Sequence, residues 1–212
     1  HRVDRRQRQM CIRDRNMFMV NINLVLAEHQ TLQTERLILR KLQLEDATEM
    51  FNYASNPEVA RFTSFEPHDS LETTRATIAK FFLPNSLYHW GIVEKTSCQL
   101  IGEIFLNPIN EKTVELGWIL NQDHWGKGIM PEAAECLLAL SFDKLEVKVI
   151  QAKHFTENAK SGRVMEKLGM KHLGKVYSYF PKFENPLLTD YWAITRDAVS
   201  YTHLTLPTIY SV

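Results

Sequence analysis

Long apolar runs are missing from this 212-residue chain. None approaches the ~20 residues that a membrane-spanning helix needs, so no membrane partner is expected. Cysteine is scarce. Cys11, Cys98 and Cys136 are odd in number and widely separated, which argues against both a disulfide framework and a zinc site. A reducing, cytoplasmic setting without a bound metal is the expectation. An excess of one charge is also absent: 25 Lys+Arg face 25 Asp+Glu, with no long basic stripe, so nothing points to nucleic acid. Glycine and proline, eight each, form no linker, and no repeat or low-complexity tract divides the chain. What is present is 44% hydrophobic residues in a length suited to one domain with a sizeable core.

The two ends differ from the rest. Pairing residue n with residue 213−n, all fourteen pairs can be encoded by reverse-complementary codons. Met10 (ATG) pairs with His203 (CAT), Cys11 (TGT) with Thr202 (ACA), and Ile12 (ATA) with Tyr201 (TAT). Residues 1–15 and 199–212 therefore read as translated DNA adapter, and 16–198 as the native domain. Without the ends, 19 basic and 23 acidic residues remain, a net charge of −4.

Within 16–198 the periodicities alternate between strand and helix. RLILRKL, HWGIVEK, QLIGEIFL, TVELGWIL, KVIQAKH, MKHLGKVYSYF and LTDYWAIT read as strands, with Lys95–Cys98 as a hairpin turn. KVIQAKH, apolar and β-branched, is expected to be buried on both faces. Four helices are predicted: LEDATEMFNYASN, SLETTRATIAKFF capped by Ser70, PEAAECLLALSFDKL with Pro131 in its first turn, and NAKSGRVMEKLG ending at Gly169. One α+β domain is the economical reading.

The stretch with the clearest chemistry is strand–loop–helix, from VELGWIL through NQDHWGKG to IMPEAAE. A loop with Gly126 and Gly128 entering a helix presents backbone N–H groups at the helix's positive end, which suits a phosphate. GxxxxGK[ST] is absent, and the third glycine of a dinucleotide fingerprint is missing. By itself Gly-x-Gly equally fits a simple loop-to-helix turn.

From TERLILRKL to DYWAIT, the order of elements resembles the GNAT acetyltransferase superfamily, and more narrowly its RimJ/RimL ribosomal-protein N-acetyltransferase type. The likeness is carried by TERLILR, LIGEI, ELGWIL followed by WGKG and a PEA helix, and NAKSGRVMEKLGM. It implies a mixed, mostly antiparallel twisted sheet of about seven strands flanked by about four helices. It also implies acetyl-CoA as co-substrate, its pyrophosphate on the turn of Trp125, Gly126, Lys127, Gly128, Ile129 and Met130. Met130 stands where the family usually has a small residue. Trp118, Ile119 and Leu120 would pair through their backbone with the pantetheine arm like an added strand. Asn158 and Ser161 match an Asn-x-x-Ser that contacts the CoA arm, although Asn158 serves equally well as a plain helix cap. Met165 occupies the position of the Tyr that protonates the CoA thiolate in many members, leaving Ser161 or solvent for that step.

Acetylating an amine requires a base or a water chain to take a proton from the ammonium. Glu115 is the first candidate, with a pKa that burial would raise; a surface ion pair is its alternative. Glu103 is the second candidate, and His89 and His124 complete the set. Tyr53, Phe62, Phe65, Trp90 and Tyr179 are candidate walls for the acceptor, or plain core. Cys98 and Cys136 have no His placed to activate them, so direct transfer in a ternary complex is expected. The resemblance implies a protein or peptide N-terminal α-amine, ribosomal or other, as acceptor. A polyamine or antibiotic amine, or a non-catalytic CoA-binding module, are the alternatives. Monomer and homodimer are both compatible with the sequence.

Overall fold

The computed structural model describes residues 20–201 and 210–211, with side chains for residues 20–198. All seven predicted strands form: β2 (Leu37–Arg40), β3 (His89–Glu94), β4 (Leu100–Asn110), β5 (Thr113–Leu120), β6 (Val149–Phe155), β7 (Lys171–Ser178) and β8 (Leu187–Thr195). Two-residue strands β1 (Leu32–Gln33) and β9 (Tyr210–Ser211) extend the sheet, whose order is β7-β8-β6-β5-β4-β3-β2-β1-β9. Of the expected adapter segments, residues 1–15 lie outside the described residues. Of 199–212, only the backbone of 199–201 and of β9 is described. The β9–β1 pairing is a backbone ladder, which places little demand on side-chain identity.

The four predicted helices are α2 (Ala47–Ala54), α4 (Leu71–Thr77, continuing as a wider turn to Phe82), α5 (Ile129–Ala139, continuing likewise to Lys144) and α6 (Ala159–Lys167). Three short ones were not anticipated: α1 (Ile22–Glu28), α3 (Pro57–Ala60) and α7 (Arg196–Tyr201). Local chemistry sets the boundaries. Ser70 Oγ accepts from the Thr73 N–H, as expected of the cap of α4. Arg40 grips the buried Asp46 with both terminal nitrogens, at 2.8 and 2.6 Å, fixing where β2 hands over to α2.

Alternation along the strands divides the core. Leu37, Leu39, Trp90, Ile92, Ile104 and Leu116 pack on one face beneath α1, α5 and α6. On the other face Val93 and Leu100 meet Met50 and Tyr53 of α2 and Ile78 and Phe82 beyond α4. β6 does not have the two-sided burial expected of it: Ile150, Ala152 and His154 are buried while Val149, Gln151 and Lys153 are only half-buried. The second face is left partly open there.

Candidate active site

β5 and β6 are parallel, and they pair only over Thr113↔Val149, Val114↔Ile150 and Glu115↔Gln151. Beyond this point β5 stays paired with β4 as far as Leu120, while β6 stays paired with β8 as far as Phe155. The backbone of residues 116–120 therefore has no strand partner on the β6 side. One acceptor offered from the sequence is already used: the Leu120 carbonyl accepts from Trp125 Nε1 at 2.9 Å. A cavity of about 600 Å³ fills the opening, bounded by Trp118, Ile119 and Leu120 on one side and Asn158 and Ser161 on the other.

Trp125, Gly126, Gly128, Ile129 and Met130 line the same cavity. Gly126 and Gly128 have φ of 76° and 75°, a left-handed conformation that costs a residue with a Cβ roughly 1–2 kcal/mol. Gly128 is the N-cap of α5, so the unpaired N–H groups of an eleven-residue helix face this space. Met130 is buried in the core, and its bulk does not crowd the turn. Lys127 anchors the turn from behind: its carbonyl accepts from an Arg36 terminal nitrogen at 3.0 Å. Arg36 in turn holds Glu132, in the first turn of α5, through Nε at 2.6 Å and its backbone N–H at 2.9 Å. Burial pushes the Glu132 carboxyl up, but hydrogen bonds from Thr34 and Arg36 outweigh it and hold the group below its usual range.

Asn158 caps α6. Its Oδ1 accepts from the Ser161 N–H at 3.3 Å, and its Nδ2 donates to Ser161 Oγ at 3.1 Å. Met165 is packed in the core, so the position of the missing Tyr does not reach the cavity. Lys160, Arg163 and Lys167, absent from the sequence-derived candidates, also line it, with Lys160 Nζ 3.7 Å from the centre of the Trp125 ring. Their i, i+3, i+7 spacing just after Asn158 is the signal that would have found them.

A second cavity of about 630 Å³ lies on the α2/α4 face, and the two share Phe62, Thr63, Trp118 and Ile119 as walls. Its lining includes Tyr53, Phe62 and Phe65 as anticipated, and also Phe81, Phe82, Phe105, Phe155 and Phe180. Trp90 is not part of it. Its neighbours His89 and Gly91 face the cavity side, so strand alternation turns Trp90 into the opposite core, where Nε1 donates to the His29 carbonyl. Tyr179 is 65% exposed at the end of β7 and does not line the cavity either.

Three buried polar groups line this second cavity without a partner: Glu103 Oε2, Tyr53 Oη and His89 Nδ1. Burial pushes the Glu103 carboxyl up to about 8. Burial, reinforced by the nearby Glu103 and Asp46 carboxyls, raises the Tyr53 phenol well above its ordinary value. His89, ringed by Phe81, Phe82 and Phe105 at 5.1–5.5 Å, is pushed down by burial to about 4. Orphaned polar atoms in an apolar enclosure are costly unless something binds them.

The burial anticipated for Glu115 is not what the fold provides. Its Oε2 accepts from Lys153 Nζ at 2.9 Å, and the side chain keeps 23% of its surface exposed. Both residues sit where the β5–β6 ladder ends, close to solvent, whereas Glu103 lies one strand further in beneath α2. His124 lies beside the first cavity, 3.9 Å from Glu94. Cys136 is buried in α5 with its thiol pushed up to about 12 by burial, and Cys98 is exposed in the β3–β4 turn; neither lines either of these two cavities. Among the described residues no group of three His, Cys, Asp or Glu is placed to hold a metal ion, and no helix is long and apolar enough to cross a membrane.

Residues 36–171 match the acetyltransferase (GNAT) domain family, and the chain belongs to that family. An uncharacterized N-acetyltransferase, p20, from Bacillus licheniformis is 32% identical over 155 residues, covering 71% of this chain and 87% of the relative. The crystal structure of a GNAT-family acetyltransferase from Bacillus anthracis superposes with a TM-score of 0.71 at 28% identity, over 79% of this chain and 99% of the other. A spermidine N-acetyltransferase from Vibrio cholerae, in complex with CoA and spermine, shares the fold: TM-score 0.64, 22% identity, 78% and 98% coverage. The chain is an N-acetyltransferase of the GNAT family, which uses acetyl-CoA.

Proposed function

We propose that residues 16–198 transfer the acetyl group of acetyl-CoA directly to a primary amine held in the aromatic cavity. The observation that carries this reading is the shared wall at Trp118 and Ile119, where the phosphate-side cavity meets the cavity containing Glu103. Acetyl-CoA supplies an activated thioester. Backbone N–H groups at Gly126–Met130 take its pyrophosphate, with Lys160, Arg163 and Lys167 adding positive charge. The free backbone of Trp118 pairs with the pantetheine arm, whereas Ile119, also expected to do so, turns its backbone toward Glu103 of β4.

Glu103 takes the proton. A carboxyl with a pKa near 8 matches an amine to be deprotonated near neutral pH, and Glu103 lines the cavity with no partner for its buried Oε2. The amine nitrogen bonds to the carbonyl carbon as the carbon–sulfur bond breaks. Ser161, whose Oγ already accepts from Asn158, gives its hydroxyl hydrogen to the departing thiolate and regains one from water, and the second proton of the attacking nitrogen leaves to water as the amide forms. Glu115 remains the rival base, reached by breaking its pair with Lys153.

The acceptor is first read as a protein or peptide N-terminal α-amine, ribosomal or otherwise, following the sequence resemblance. A small-molecule primary amine is the second reading, favoured by the aromatic enclosure of about 630 Å³, a volume typical of small-ligand pockets. Calorimetric titration with acetyl-CoA, followed by thiol release across peptides and small amines, tests the whole reading. A folded protein that binds no acetyl-CoA overturns it, and binding without any thiol release points instead to a CoA-binding module. A cytoplasmic monomer or homodimer is the setting we propose.

A further inference from the structure

The segment joining β7 to β8, residues 179–186, reaches the acceptor cavity through Phe180 and hydrogen-bonds to the 60–65 loop through Lys182. Lys182 Nζ donates to the Ala60 carbonyl at 2.7 Å and to the Phe65 carbonyl at 2.9 Å. Those carbonyls bracket the loop that presents Phe62, Thr63, Ser64 and Phe65 to the cavity. Rings join the same two segments through β6. Phe155 stacks edge-on against Phe180 at 4.8 Å and Phe183 at 5.5 Å, and it approaches Phe62 at 6.4 Å.

Two loops far apart in sequence thus close one side of a cavity whose unpartnered polar groups lie on β3, β4 and α2. An ammonium shared by two carbonyls makes charge-assisted bonds, stronger than the neutral contacts usual between loops. Nine Phe, Tyr and Trp side chains line the cavity, six of them on or beside these two loops and the strands they cover, and such walls reward an apolar body.

We propose that residues 179–186 form a strap which Lys182 latches to the 60–65 loop, and that this latch makes Lys182 a specificity-determining residue for a primary amine carried on an apolar body. The inference rests on the acceptor cavity assigned above. Opening the latch separates the Phe62/Phe65 wall from the Phe155/Phe180 wall, so the amine still reaches Glu103 but its body loses one side of its enclosure.

The test compares the whole chain with Lys182→Met and Lys182→Arg, using phenethylamine, spermidine and tetrapeptides beginning with Phe or Asp as acceptors. Acceptors with an apolar body are expected to be preferred. Their KM rises about tenfold in Lys182→Met, while the acetyl-CoA KM stays within about twofold and Lys182→Arg recovers most of the loss. An unchanged acceptor KM, a parallel rise in the acetyl-CoA KM, or a wild-type preference for spermidine and Asp peptides overturns the proposal. Amide hydrogen exchange provides a readout independent of turnover: residues 60–66 and 179–186 should exchange faster together in Lys182→Met, and unchanged protection also overturns the latch. If wild type releases no thiol with any amine, the transferase reading fails by itself, and the exchange experiment still judges the latch.

Discussion

Arg36, at the entrance to β2, and Glu132, in the first turn of α5, meet at 2.6 Å, and the same guanidinium holds the Lys127 carbonyl at 3.0 Å. One side chain therefore joins the sheet, the glycine turn and the helix start. The pair is partly exposed, so its net contribution to stability is modest, up to about 1 kcal/mol. Its effect on the turn is a different matter, because backbone donors bind an anion only when they point together. Arg36→Met should weaken acetyl-CoA binding about tenfold by calorimetry while lowering the melting temperature by only a few degrees. A melting shift with unchanged affinity would show that Arg36 supports the fold alone.

Gly128→Ala places a Cβ on a residue with φ of 75°, at roughly 1–2 kcal/mol. Space is not the obstacle, since the nearest atom to that Cβ is an Arg36 nitrogen at 3.5 Å. Strain rather than collision predicts an order among variants. Gly128→Asn, which tolerates the left-handed region better, should retain more acetyl-CoA affinity and more stability than Gly128→Ala. Equal losses in the two would point to steric conflict with the ligand instead.

Glu103→Gln should lower kcat by about 10²–10⁴-fold while leaving acetyl-CoA affinity unchanged. In the wild type, kcat/KM should rise with pH through a midpoint near 8 as Glu103 ionises, and that limb should vanish in the variant. Glu115→Gln, which frees Lys153, should retain most turnover. The opposite pattern would return the base to Glu115.

Stability should respond to pH through two buried groups. His89 in the folded chain sits near 4 against 6.5 when exposed, so the unfolded chain binds more protons between these values, and stability falls as pH drops from 6.5 toward 4. Glu103 sits near 8 against 4.5, so the folded chain holds the extra proton, and stability falls as pH rises from 4.5 toward 8. Each slope approaches about 1.4 kcal/mol per pH unit. The two oppose each other below 6.5, leaving Glu103 alone above it. Melting curves from pH 6.5 to 8 should therefore flatten in Glu103→Gln, and His89→Phe should leave the Glu103 slope unopposed between pH 4.5 and 6.5, so that stability there rises as pH falls.

Seven strands and four helices were legible because each has a periodicity of its own and a stop signal beside it, such as Ser70 or Gly169. The short helices α1 and α3 were not. Segments of seven and four residues carry too few turns for a pattern, and neighbours hold them in place. The Gly126–Gly128 turn was equally legible, because only glycine takes those backbone angles readily.

Partner choice had no such local signature. Glu115 and Glu103 are both strand carboxylates flanked by apolar residues, and nothing local says that Lys153 on β6 reaches the first while α2 covers the second. Lys182 is likewise an ordinary loop lysine until the fold brings it to Ala60 and Phe65, more than a hundred residues away. By itself, then, the sequence determined the elements, the glycine turn and the family, all matters of neighbouring residues and their order. Only the tertiary structure decided which carboxyl is dehydrated and which lysine closes the cavity, because burial and pairing depend on what arrives from elsewhere in the chain.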